Sequence, residues 1–168
     1  MAVVLRLLMP QNRLICQLAI DTGLRIGDVC ALRADQLLPR VTVTEQKTGK
    51  KRRISIKKAL LGDIKAQCDA VWAFPGKSGS KTGHKTRQAV WADVKRAQRA
   101  LRLDRNIGPH SMRKVYAVRA YRRSGDLAAV ARLLNHDDTT VTLLYALADQ
   151  LAQRPRSQRR KPRRQKGK

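Results

Sequence analysis

The apolar positions fall into short periodic runs separated by glycine, proline and charge. Leu14, Ile15, Leu18 and Ala19 share one face of a helix that opens at Pro10, where the missing N–H costs nothing, and stops at Thr22-Gly23, where glycine suits a C-terminal cap. A short helix follows, carrying Ile26, Val29 and Cys30, with Leu32 near its end. Residues 41–44 and 54–56 alternate as strands do, and the stretch 47–50 between them holds a turn glycine, so the pair reads as a β-hairpin. Gly62-Asp63 and residues 74–83 read as irregular. From 86 to 103, Val90, Val94, Ala97 and Leu101 trace one helical stripe, and Arg87, Lys95, Arg96, Arg99 and Arg102 occupy the other face. Gly108-Pro109 breaks that helix, and Ser111 is expected to cap the next, which runs to Ser124-Gly125. Asp126 caps a short helix bearing Leu127, Val130, Ala131 and Leu134, which Asn135 ends. Thr139 or Thr140 opens a last helix with Val141, Leu144, Tyr145 and Ala148. The expected fold class is α+β, mainly α-helical, with a small antiparallel β-sheet.

The charge is lopsided. Lys and Arg number 37 against 12 Asp and Glu, a formal net charge of +25 in 168 residues. Such self-repulsion points to a polyanionic partner, and double-stranded DNA comes first because basic residues gain free energy by releasing its condensed counterions. Aromatic residues at 4% argue against platforms that stack splayed bases. No apolar run approaches the roughly 20 residues that span a bilayer. Residues 5–9 are too short for a signal-peptide core, so a cytoplasmic, nucleoid-associated protein without a membrane partner is expected. The 154–168 segment has nine basic residues, two prolines and no apolar side chain, and is expected to be a disordered basic tail. Arg154, Arg156, Arg159, Arg160, Lys161, Arg163 and Arg164 are its candidate DNA contacts.

Two kinds of chemistry drop out. Gly76-Lys77 would need a glycine at position 71 to make a phosphate-binding P-loop, but Val71 stands there, and Ser80 precedes Lys81. The three histidines and the three cysteines (Cys16, Cys30, Cys68) lack zinc spacing, so no metal and no cofactor are expected. Cys16 and Cys30 lie in apolar stretches and read as core. Singly, the remaining candidates are weak: Arg25 beside a helix break reads as a solvated charge, and Tyr145 on an amphipathic helix reads as core. His110 and Arg113, three apart at a helix start, are placed to face one phosphate.

Jointly, these segments resemble the tyrosine recombinase (phage integrase) family. The family pattern is Thr-Gly-Leu-Arg before a helix, a lysine in a hairpin turn, a His-x-x-Arg box, Leu-Gly-His, and a tyrosine nine residues on. The matches here are Arg25, Lys47, His110, Arg113, His136 and Tyr145, in that order, within residues 10 to 148. Phe74-Pro75 before a variable loop and a long helix is also similar. Asn135 replaces the usual glycine, Asp28 the usual glutamate, and Lys114 a common histidine. The resemblance implies a catalytic domain over residues 1–153, with the family's upstream core-binding domain absent.

It also implies roles. Arg25 and Arg113 would clamp the non-bridging oxygens of a scissile phosphate, since a guanidinium stays charged and donates through a planar fork. His110 and His136 would add donors or move protons. Tyr145 would attack phosphorus, and Lys47, or its neighbours Lys50 and Lys51, would protonate the departing 5′ oxygen. Asp28, one turn from Arg25, would orient an arginine. The expected activity is site-specific DNA strand exchange through a 3′-phosphotyrosine link, in a bacterial or phage setting. Self-association to a dimer or tetramer on DNA and accessory DNA-bending or excision factors are the expected partners. Two alternatives stay open: type IB topoisomerase-like nicking and closing, and a catalytically inactive DNA-binding remnant.

Overall fold

The computed structural model describes residues 1–77, 83–104 and 107–134. Its elements are α1 (Ala2–Leu7), α2 (Pro10–Thr22), α3 (Ile26–Cys30), β1 (Arg40–Thr44), β2 (Lys51–Ser55), α4 (Lys58–Lys65), α5 (Arg87–Ala100), α6 (Pro109–Ser124) and α7 (Leu127–Leu133). Helix α2 is the hub, packing against α1, α3, α4, α5 and α6. Its side chains Ile15, Cys16, Leu18 and Ala19 are fully buried, and only Pro10, Arg13 and Gln17 face solvent. Burial pushes the Cys16 and Cys30 thiols up to about 12, so both are inert core residues. A smaller cluster forms between α6 and α7 from Tyr116, Ala117, Ala120, Val130, Ala131 and Leu134. Among the described residues no helix is long and apolar enough to cross a membrane.

The N-terminus of α2 is held from a distance. The Asp93 carboxylate on α5 accepts hydrogen bonds from the Met9 N–H and the Asn12 amide, both at 2.8 Å, and pairs with Arg96 at 2.6 Å. Burial alone would raise this carboxyl; the Asn12, Met9 and Arg96 partners outweigh it and hold it below the ordinary range. A carboxylate depressed in the folded state stabilises above its unfolded pKa of about 3.9, and that contribution fades as pH falls through the folded value. Asp93→Asn should therefore be about 1–3 kcal/mol less stable near neutrality. In urea melts the gap to the parent chain should close as the medium is acidified; a gap independent of pH would show that charge is not what Asp93 contributes.

The end of α2 shows why Thr-Gly stands there. Gly23 adopts a left-handed conformation (φ 71°) and its N–H closes on the Ala19 carbonyl. The ring of Tyr116 on α6 lies directly over it, so a Cβ at this position would sit 2.5–2.9 Å from ring carbons. Arg52, buried on β2, donates to the Thr22 carbonyl at 2.5 Å and the Gly23 carbonyl at 3.2 Å, and its guanidinium stacks on the Tyr116 ring at 5.5 Å. A cation thus meets the negative end of the helix dipole. Gly23→Ala combines a left-handed backbone, about 1–2 kcal/mol, with overpacking, about 1–3 kcal/mol. Chemical denaturation should show a loss in the range of that sum; a loss below about 1 kcal/mol would mean that Tyr116 moves aside freely.

Some sequence expectations need correction. Gly62 and Asp63 are helical, inside α4, because Leu60, Leu61 and Ile64 form a buried stripe that outweighs one glycine. Strand β2 begins at Lys51, earlier than expected, and pairs Arg52 with Val43 and Ile54 with Val41, so its basic residues are part of the ladder. Helix α3 ends at Cys30, leaving Leu32 buried beyond it. Helix α6 starts at Pro109, not after Ser111; the Ser111 hydroxyl sits inside the first turn and accepts from the Gly108 N–H at 3.0 Å. Asp126 caps α7 as expected, accepting from the Ala129 N–H, and Thr86, not foreseen as a cap, does the same for α5 through the Ala89 N–H.

Candidate active site

Four separate parts of the chain converge on one open pocket of about 250 Å³, lined by Arg25, Asp28, Gln46, Lys47, Arg87, His110 and Arg113. Arg25 is the N-cap residue of α3, extended directly after the Gly23 break, so the two-residue step out of α2 aims its side chain here. Its guanidinium donates to the Glu45 carboxylate at 2.5 Å. The β1–β2 turn closes through the Glu45 N–H to the Lys50 carbonyl and the Gly49 N–H to the Glu45 carbonyl, with Gly49 left-handed. That turn presents Lys47 to the pocket, whereas Lys50 and Lys51 are not among the lining residues.

His110 and Arg113 enter from the first two turns of α6. His110 is exposed, while Arg113 is 7% exposed and donates to the Leu134 carbonyl at the end of α7. One guanidinium thus ties the His-x-x-Arg turn to the point where the chain leaves toward residue 135. Partial desolvation at the pocket wall, then the charges of Arg113, Arg25, Arg87 and Lys114, hold the His110 imidazole below its ordinary value. The shift favours the neutral ring, which has one N–H to donate and one lone pair to accept. His136, Tyr145 and the tail residues 154–168 lie outside the described residues.

Two residues escaped the sequence reading. Glu45 on the β1–β2 turn accepts a direct hydrogen bond from Arg25 and was not among the expected site residues. The Asp28 carboxylate accepts instead from the Gln46 N–H at 3.0 Å and acts on Arg25 and Arg113 through charge. Burial, aided by the nearby Glu45 charge, raises the Asp28 carboxyl above its usual range, against the pull of the Gln46 bond and the two arginines. Strand alternation held the signal for Glu45: it follows Val43 by two positions, on the face that turns inward. Arg87 is the other, the first residue of α5, at the pocket rim. Among the described residues no group of His, Cys, Asp and Glu gathers as a metal site would require.

Arginines, a lysine and a histidine around one solvent-open pocket suit an anion whose charge grows during reaction. A sequence model of the phage integrase family matches residues 7–151. The chain belongs to the phage integrase family. Tyrosine recombinase XerD of Rhizobium meliloti is 31% identical over 140 residues, covering 77% of this chain and 44% of that protein. The probable integrase/recombinase YoeC of Bacillus subtilis is 30% identical over 137 residues, covering 78% of this chain and 74% of that protein. This phage integrase family chain spans about half the length of the XerD and XerC relatives it matches. Its fold matches the XerH site-specific recombinase in a post-cleavage complex with a palindromic difH substrate (TM-score 0.66, 20% identity, 85% of this chain and 44% of that one). It also matches the lambda integrase catalytic core (TM-score 0.61, 22% identity, 76% of this chain and 82% of that one). The fold is that of tyrosine recombinase catalytic domains, mainly helical with a two-stranded antiparallel sheet.

Proposed function

We propose that this chain cuts and rejoins DNA as a site-specific recombinase, with Tyr145 as the attacking group. The observation that carries the reading is the convergence of Arg25, Lys47, His110 and Arg113 on one pocket in a fold of this family. The scissile phosphate would lie between the two arginines, whose donors meet the charge that builds on its non-bridging oxygens. As the Tyr145 oxygen bonds to phosphorus, the bond to the 5′ oxygen breaks. The phenol proton passes to a neutral imidazole, the form that the lowered pKa of His110 favours, or to His136; Lys47 gives the 5′ oxygen its proton. A 3′-phosphotyrosine and a free 5′ hydroxyl result, and attack by a hydroxyl of another strand reverses the step. One ester replaces another, so the balance needs no further reactant.

The net charge of +25 supports a duplex partner, and the basic residues of 154–168 would add a sequence-independent arm. Assembly of several copies on DNA is part of the proposal, because strand exchange needs two cleaved duplexes. The test is incubation with nicked duplexes carrying candidate sites, followed by denaturing gels. A covalent protein–DNA adduct and exchanged strands are expected. Supercoil relaxation without exchange would assign the topoisomerase-like activity instead, and binding without any adduct would assign an inactive remnant.

A further inference from the structure

Glu45 is fully buried, in a chain otherwise crowded with cations. Its Oε2 accepts from Arg25 Nη1 at 2.5 Å and from the Thr48 hydroxyl at 3.0 Å. Its Oε1 faces Arg52 Nη1 at 3.8 Å and makes no hydrogen bond among the described residues. A buried carboxylate is expensive unless every lone pair is matched, and an apolar residue here would extend the inward face that Val43 begins. Fold stability alone is therefore a poor reason for this residue. Its neighbours suggest a better one. Thr48 belongs to the turn that presents Lys47, and Arg25 belongs to the start of α3, so one carboxylate oxygen grips both. The next N–H along, that of Gln46, is held by Asp28 from the same helix. Arg52, on the far side, is itself anchored to the end of α2.

We propose that Glu45 is a positioning residue of the cleavage site, fixing the Arg25 guanidinium relative to the Lys47 turn. An arginine side chain has several rotatable bonds, and a clamp acts only when its fork is already aimed at the phosphate. Glu45 supplies that aim from beneath, through a partner that never meets DNA. The inference rests on the cleavage reading above, and the experiment separates the two.

The variant is Glu45→Gln in the full chain, which keeps size and one acceptor but removes charge. Three quantities are read: duplex affinity, single-turnover cleavage of a nicked site, and cleavage of the same site with a neutral methylphosphonate at the scissile position. Affinity should hold. Cleavage of the ordinary phosphate should slow about 10- to 100-fold, the penalty of a misplaced reactive group. Cleavage of the methylphosphonate should change little, because it has no anionic oxygen for Arg25 to neutralise. Equal slowing on both substrates would reduce Glu45 to a structural role and overturn the proposal. If the Gln variant does not fold, Glu45→Asp keeps the charge but withdraws it by one methylene, and the same selective loss is expected. The Arg25 Nε–H signal in solution NMR provides a readout without chemistry: sharp in the parent chain, broadened in the variant. An unchanged signal would overturn the proposal even if the parent chain cleaves nothing, whereas absent cleavage with a broadened signal would sink only the cleavage reading.

Discussion

Tyr145→Phe should fold, bind duplex DNA with unchanged affinity and salt dependence, and form no covalent adduct. The substitution removes one hydroxyl oxygen, so packing is nearly conserved, while the atom proposed to bond to phosphorus is lost. Cleavage should fall to background, since a covalent mechanism has no substitute for its nucleophile. The other two tyrosines do not compete for the role. Tyr116 is buried over Gly23 and under Arg52, and Tyr121 packs on the α6–α7 cluster. Both side chains are taken up by packing. Peptide mapping of an adduct trapped on nicked DNA decides the matter. An adduct that maps to Tyr116 or Tyr121, or that persists undiminished in Tyr145→Phe, would sink the assignment.

What the sequence made legible were the features carried by local chemistry. Thr22-Gly23 announced a helix stop, and the stop is what sends Arg25 into the pocket. The turn glycine at 49 announced the hairpin that presents Lys47. The His110–Arg113 spacing beside Gly108-Pro109 announced a helix start, although Ser111 pointed to it two residues too late. What stayed hidden depends on partners remote in the chain. Nothing local says that Gly23 must also admit the Tyr116 ring, or that Asp93 caps a helix 84 residues away. Arg52 read as one more basic residue outside the strand, because burial of an arginine is visible only once the α2 carbonyls and Glu45 surround it. Gly62-Asp63 looked like a break since a lone glycine weakens a helix by roughly 1 kcal/mol. The burial of Leu60, Leu61 and Ile64, worth more than that, is a tertiary effect. Glu45 is of the same kind: its partner Arg25 lies 20 residues away, and only the fold brings the two together.

Arg113→Lys should retain the positive charge and lose the chemistry. The arginine is almost entirely buried, on the wall of the pocket, and its guanidinium reaches the Leu134 carbonyl where α7 ends. Lysine offers a single ammonium on a flexible stem, so it cannot bond the carbonyl and meet a phosphate through a rigid fork at the same time. Removing one preorganised donor to a developing oxyanion lowers rates roughly 10²- to 10³-fold, and cleavage of a nicked site should slow by that order. Duplex affinity should barely change, because one buried charge contributes little beside a net +25 that the variant keeps. Stability should fall as well, by about 1–3 kcal/mol for the disturbed buried hydrogen bond, and denaturant melts measure that part separately. The Ala variant tests the same site more severely: the α6–α7 tie is lost together with the clamp. The pattern that matters is a cleavage defect in the Lys variant at temperatures and denaturant concentrations where it is fully folded and bound to DNA. Full cleavage under those conditions would remove Arg113 from the reacting site and leave it only the structural role of joining α6 to the end of α7.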